Sequence, residues 1–194
     1  MSLAPWRSPL ARALHLNRSL AYSRYLQLAT VRADGRPANR TVVFRGFLEG
    51  SDRLKFVTDA RSEKIEQIEH QPWAEACWYF PNTREQFRIA GCLKIVKANC
   101  SDADLLQARQ NSWQEMSDAA RLQFTWPHPS QPRGDAAAFE APAPNSVEPL
   151  PHFCLLLLEP LQVDRLELRG EPQNRTIYIW SDRDRSWSCQ AVNP

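Results

Sequence analysis

Cationic and hydroxyl side chains crowd one short span of this chain: Arg40, Arg45, Thr58, Arg61, Ser62 and Lys64. A guanidinium stands at each end of the β-rich run Arg40-Thr41-Val42-Val43-Phe44-Arg45. After turn signals at Gly46 and Gly50-Ser51-Asp52, a second run, Leu54-Lys55-Phe56-Val57-Thr58, ends on a hydroxyl. Asp59 can cap the segment that follows, and Ile65 and Ile68 give Ser62 to Gln71 helical spacing. Arg61, Ser62 and Lys64 then fall in the first turn, beside backbone N–H groups with no partner inside the helix. Two cations there oppose the macrodipole, which favours acids at that end. Either Glu63 and Glu66 neutralise them on a solvated surface, or an anion such as a phosphate resolves the conflict, as it readily does at helix N-termini near Arg or Lys.

Other chemistries find little support. The four histidines (15, 70, 128, 152) are scattered, and none has a second ligand at helical or hairpin spacing, so no metal site is expected. There is no GxSxG, P-loop or GxGxxG pattern. With six glycines in all, a phosphate would have to be held by side chains and helix termini rather than by a glycine-rich cradle. Among seven tryptophans, Trp126 is the one suspected at a ligand, because it sits in a proline-flanked loop.

The elements that must position these residues read as mainly β within an α+β class. Leu3, Leu10, Leu14 and Leu20 predict an amphipathic helix over 3–20. Residues 25–31 alternate as a first strand, and Asp34-Gly35-Arg36-Pro37 turns it into the Arg40 strand as a hairpin. Strands are expected over 74–80, from Gln86 to about 97, over 152–158 continuing into 162–163, and over 175–180 and 186–192. Helices are expected after Ser101-Asp102-Ala103-Asp104 and over about 113–123, with an internal restart at Ser117-Asp118. Residues of about 125–151 form a proline-rich loop of the length usually kept for function or disorder.

At 194 residues one domain, 1–194, is the expectation. A net charge of +2 and the lack of a basic run disfavour nucleic acid. Arg outnumbers Lys 20 to 4, which suits phosphate contacts but equally follows from a GC-rich genome. Five cysteines without CxxC spacing predict reduced thiols in a cytoplasm. No signal peptide is evident, and Phe153 to Leu158 is too short for a membrane span.

The order of motifs resembles the pyridoxamine 5'-phosphate oxidase-like flavin-binding split-barrel family. An Arg opens a strand that ends on Arg45; Val57-Thr58 ends the next; Ser62-Glu63-Lys64 starts a helix; Gln71-Pro72 and Gln86 follow. The resemblance implies a six-stranded Greek-key split β-barrel with flanking helices, a homodimer, and FMN at its interface. It implies cofactor contacts from Arg40, Thr41, Val42, Val43, Arg45, Val57, Thr58, Arg61, Ser62, Lys64, Gln86, Gln123 and Arg175, and a substrate contact from Arg109. Arg40 and Lys64 would hold the phosphate, helped by Ser62, Thr58 and Arg61. Arg45, Gln86 and Arg175 would lie nearer the ring, and Gln86, read as inward-facing, offers the donor and acceptor that a ring edge needs. At the family's remaining substrate positions stand Leu105, Trp113, Glu171 and Gln173, so most of the substrate half of the pattern is lost. The resemblance implies a flavin-dependent oxidoreductase acting on a small molecule. A non-enzymatic flavin carrier or sensor, and a haem-binding relative of the barrel, remain as alternatives.

Overall fold

The computed structural model describes residues 3–194. Helix α1 (Arg7–Leu16) is followed by β1 (Tyr25–Val31), β2 (Pro37–Val43) and β3 (Leu54–Asp59). Then come α2 (Glu63–His70), β4 (Trp73–Phe80), β5 (Glu85–Val96), α3 (Ala103–Gln114) and α4 (Asp118–Leu122). The chain ends with β6 (Phe153–Glu167), β7 (Asn174–Ser181) and β8 (Ser186–Val192). The restart between α3 and α4 falls at Ser117, whose side chain accepts from the Ala120 amide. None of these helices is long and apolar enough to cross a membrane.

All eight strands join one antiparallel sheet in the order β2-β1-β4-β5-β6-β7-β8, with β3 paired to β6 beside this path. The count exceeds the expected six because the β7–β8 hairpin continues the sheet past the barrel. The chain beyond β2 then turns back on β3. Arg45 N donates to Lys55 O at 2.9 Å and Lys55 N to Gly46 O at 2.8 Å. The barrel thus meets itself along this short hairpin, which is the split form expected from sequence.

Strand alternation places the core. Leu28, Ala76, Ile89, Val163 and Tyr178 lie in register across five strands, and all are buried on the inner face with Trp78, Phe80 and Phe87. In β6, Leu156 and Leu158 point into this core, while Leu155 and Leu157 pack with Leu105 of α3. Covering both faces explains why the run from Phe153 to Leu158 is apolar without alternation. Where β5 crosses β6 the ladder shifts by one residue, and a Cβ at Gly91 would stand 1.9 Å from Glu159 O. Only glycine fits that approach.

Candidate functional site

Three of the cations named from sequence, Arg40, Arg61 and Lys64, meet where the chain passes from β3 into α2. Ser62 is the N-cap residue of α2, extended at φ −76° and ψ 139°, yet its hydroxyl makes no capping bond. It accepts instead from Lys64 Nζ at 2.6 Å, and Thr58 Oγ1 accepts from the same ammonium at 2.9 Å. Burial, then repulsion from Arg40, lowers the Lys64 pKa. Burial and repulsion from Arg32 lower that of Arg40, which is otherwise locked in place. Its guanidinium donates to Leu28 O (3.1 Å), to Thr30 Oγ1 (2.6 Å) and to Gln67 Oε1 (3.0 Å), and Thr30 closes the ring by donating to Gln67 at 2.6 Å. Thr30 and Gln67, both buried, are supporting residues that the sequence reading missed; a polar side chain at a core position of β1 or α2 was the available signal.

A cavity of about 460 Å³ opens beside this cluster, lined by Arg61, Ser62, Lys64, Gln123, Trp126 and residues of the proline-rich segment. Arg61 faces it with much of its donor capacity spent. It forms a paired bond with Asp59 (Nε to Oδ1 3.0 Å, Nη2 to Oδ2 2.7 Å) and reaches Phe124 O at 3.3 Å. His152 Nε2 bonds the same carbonyl at 2.6 Å, so the segment's entrance is fixed to β3. Its far end is fixed by Trp113 Nε1 to Asn145 O and Gln114 Nε2 to Val147 O.

Other named residues lie apart. Thr41 is exposed, Val42 and Val43 are half-buried, and β2 forms its ladder with β1 alone, so the backbone of its other edge is unpaired there. Val57 packs its side chain against the Trp113–Phe153 cluster. Gln86 corrects the sequence reading. Glu85, Phe87 and Ile89 are the inward residues of β5, so Gln86 lies on the outer face with Arg88. There Arg175 is held by Asp164, Nε to Oδ1 at 3.0 Å and Nη2 to Oδ2 at 2.7 Å. Arg109 is buried on α3, donating to Phe153 O at 2.9 Å and Leu150 O at 2.8 Å, and so braces the chain into β6.

A family model described as pyridoxamine 5'-phosphate oxidase, FMN-binding domain, matches residues 3–97. An Arabidopsis thaliana protein named pyridoxine/pyridoxamine 5'-phosphate oxidase 2 is 42% identical over 197 residues, covering 99% of this chain and 98% of its own. The chain belongs to the pyridoxamine 5'-phosphate oxidase FMN-binding family. A crystal structure of a pyridoxamine 5'-phosphate oxidase-related, FMN binding protein from Nostoc punctiforme PCC 73102 is 62% identical, with a TM-score of 0.96 over the full length of both chains. PhzG from Burkholderia lata 383, crystallised with tetrahydrophenazine-1-carboxylic acid, shares the fold at 20% identity, with a TM-score of 0.79 over 100% of this chain and 94% of its own.

FMN is accordingly the cofactor, and this chain's donors fit it. Lys64 and Arg40 are mutually repelling cations, neither in an ion pair among the described residues, beside first-turn amides that no side chain caps. Arg45 Nε is buried with no hydrogen-bond partner. Such groups lower in energy when an anion or ring carbonyl reaches them.

Proposed function

We propose that the chain is a single-domain, FMN-dependent oxidoreductase that works as a homodimer on a small molecule other than pyridoxamine 5'-phosphate. The observation that carries the flavin site is the Lys64–Arg40 pair with its two hydroxyls, two neighbouring cations with no ion-pair partner among the described residues, only the more distant charges of Glu63 and Asp59 acting on them. In this reading Arg40, Lys64, Thr58 and Ser62 bind the phosphate, Arg61 borders it, and Gln123 closes it from the proline-rich side. The bound flavin supplies hydride chemistry, while the protein supplies binding and orientation.

Gln86 and Arg175 would serve the ring of the partner's flavin. Arg40 shares the inner face with its ladder neighbour Leu28, whereas Arg175 lies opposite Leu166 and Gln86 on the outer face, five strands away. A second copy laid against that face brings the two sets together.

Three observations favour a substrate unlike that of the oxidases proper. Leu105 and Trp113, at two of the substrate positions, are buried in the core. Arg109 is tied to backbone carbonyls. Glu171 and Gln173 are exposed and offer no cation. The visible spectrum of the purified protein, with released flavin identified by mass, tests the cofactor site. Reduction of that flavin by NAD(P)H and its reoxidation by small acceptors would separate an enzyme from a carrier.

A further inference from the structure

We propose that Asp164 is a positioning residue for the flavin site, its carboxylate holding Arg88 and Arg175 as one pre-set pair of guanidinium groups beside Gln86. This rests on the reading that the outer sheet face meets the flavin. Asp164 is 4% exposed at the centre of the β5–β6–β7 ladder, directly across from Arg88 and diagonal to Arg175. Arg175 meets it with two parallel bonds, at 3.0 and 2.7 Å, and Arg88 Nη2 shares Oδ2. Two-bond forks of this kind fix a guanidinium in direction as well as distance. Gln86 lies beside the pair across the ladder, opposite Leu166, its side-chain amide making no hydrogen bond among the described residues.

Holding the strands together is a poor account of this carboxylate. Continuous ladders already join β5 to β6 and β6 to β7. Buried ion pairs add little net stability over apolar residues of the same size. What the triad provides is two cations against one acid, with Glu75 3.9 Å from Arg88 and half-exposed as the other nearby carboxylate. Fixed positive charge beside a flavin favours the reduced, more anionic form. Asp164 sets both the direction of Arg175 and the size of that charge.

The test uses the full-length, FMN-loaded protein. Asp164→Asn should weaken FMN binding about tenfold through loss of Arg175 orientation. In an Arg175→Gln background it should weaken binding no further. Removing the carboxylate charge should also raise the flavin midpoint potential, a tenfold change in relative affinity for the two redox states being ~30 mV for a two-electron couple. A variant that unfolds more easily yet keeps wild-type FMN affinity and potential would overturn the proposal, as would a full Asp164→Asn loss persisting without Arg175. If Asp164→Asn does not fold, Arg88→Gln, whose side chain is half-exposed, should lower the potential, and an unchanged value overturns the proposal. Wild-type protein that takes up no flavin would instead remove the underlying reading and this inference with it.

Discussion

Lys64 is held in a place that costs the unliganded protein something. Its ammonium is partly buried, it faces Arg40, and its charged form is correspondingly disfavoured. The sign follows directly. A base whose folded pKa lies below its unfolded value destabilises the fold while protonated in both states, and that penalty fades as pH rises through the window between the two pKa values. Lys64→Met should therefore leave the thermal midpoint of flavin-free protein no lower than wild type, while removing most of the stabilisation that FMN confers. A midpoint several degrees lower without flavin would show that the ammonium holds Thr58 and Ser62 for structural reasons. Arg40→Ala should weaken FMN by ~1.5–3 kcal/mol, the range for hydrogen bonds to charged groups. Calorimetric titration decides it; an unchanged affinity would remove Arg40 from the phosphate site. The residue types of this cluster were legible because strand ends and a helix start bring them together locally. Its supports were not: Thr30 and Gln67 lie 10 residues before and 27 after Arg40, and only the fold joins them.

At the level of elements, periodicity gave the strands and α2 their places, and alternation gave most inward residues. Gln86 was misread because strand alternation fixes which residues share a face, not which face is the core; the burial of Phe87 and Ile89 decides that. On α3, spacing gave Arg109 its place in the family pattern but not its bonds, which burial turns onto the Phe153 and Leu150 carbonyls. The proline-rich segment shows no period at all, and its path is set by long-range bonds to Phe124, Asn145, Val147 and Leu150 carbonyls. Two carboxylates are held by guanidinium groups here, Asp59 at the end of β3 and Asp164 in β6. Burial pushes both pKa values up, but hydrogen bonds from Arg61 to Asp59, and from Arg175 and Arg88 to Asp164, outweigh it and hold both below the ordinary range. Depressed folded pKa values contribute stability that is complete above the unfolded value of ~3.9 and is lost as pH falls through the folded values. The stability gap between wild type and Asp59→Asn should therefore narrow as pH falls from about 6 to about 3 in urea titrations. A gap that stays constant would mean the carboxylate charge contributes nothing to the fold.

For the whole molecule, the outer sheet face is what demands explanation. Tyr25, Trp73, Tyr79 and Ile179 stand 47–50% exposed on it, around the Arg88–Asp164–Arg175 cluster. Moving from Arg40 to the level of Arg175 means crossing five strand steps of ~4.8 Å and changing faces. Neither fact was legible in the sequence, where Gln86 and Arg175 stood as members of one motif set. If the homodimer forms through this face, each flavin draws its phosphate contacts from one protomer and its ring contacts from the partner. Light scattering at micromolar concentration should then give twice the chain mass, and Tyr79→Glu, a charge placed on the exposed face, should give monomers that bind flavin poorly although their barrels remain folded. The same arrangement bears on the substrate. Pyridoxamine 5'-phosphate brings a dianionic phosphate, which needs concentrated positive charge near the ring. Arg109 is committed to Leu150 and Phe153, Leu105 and Trp113 are core residues, and Glu171 would repel the anion. Oxidation of pyridoxamine 5'-phosphate by the flavin-loaded dimer is therefore expected to be absent or very slow. Steady release of pyridoxal 5'-phosphate at ~1 per second or faster, within the ordinary enzyme range, would overturn that expectation and require a phosphate site elsewhere on the interface.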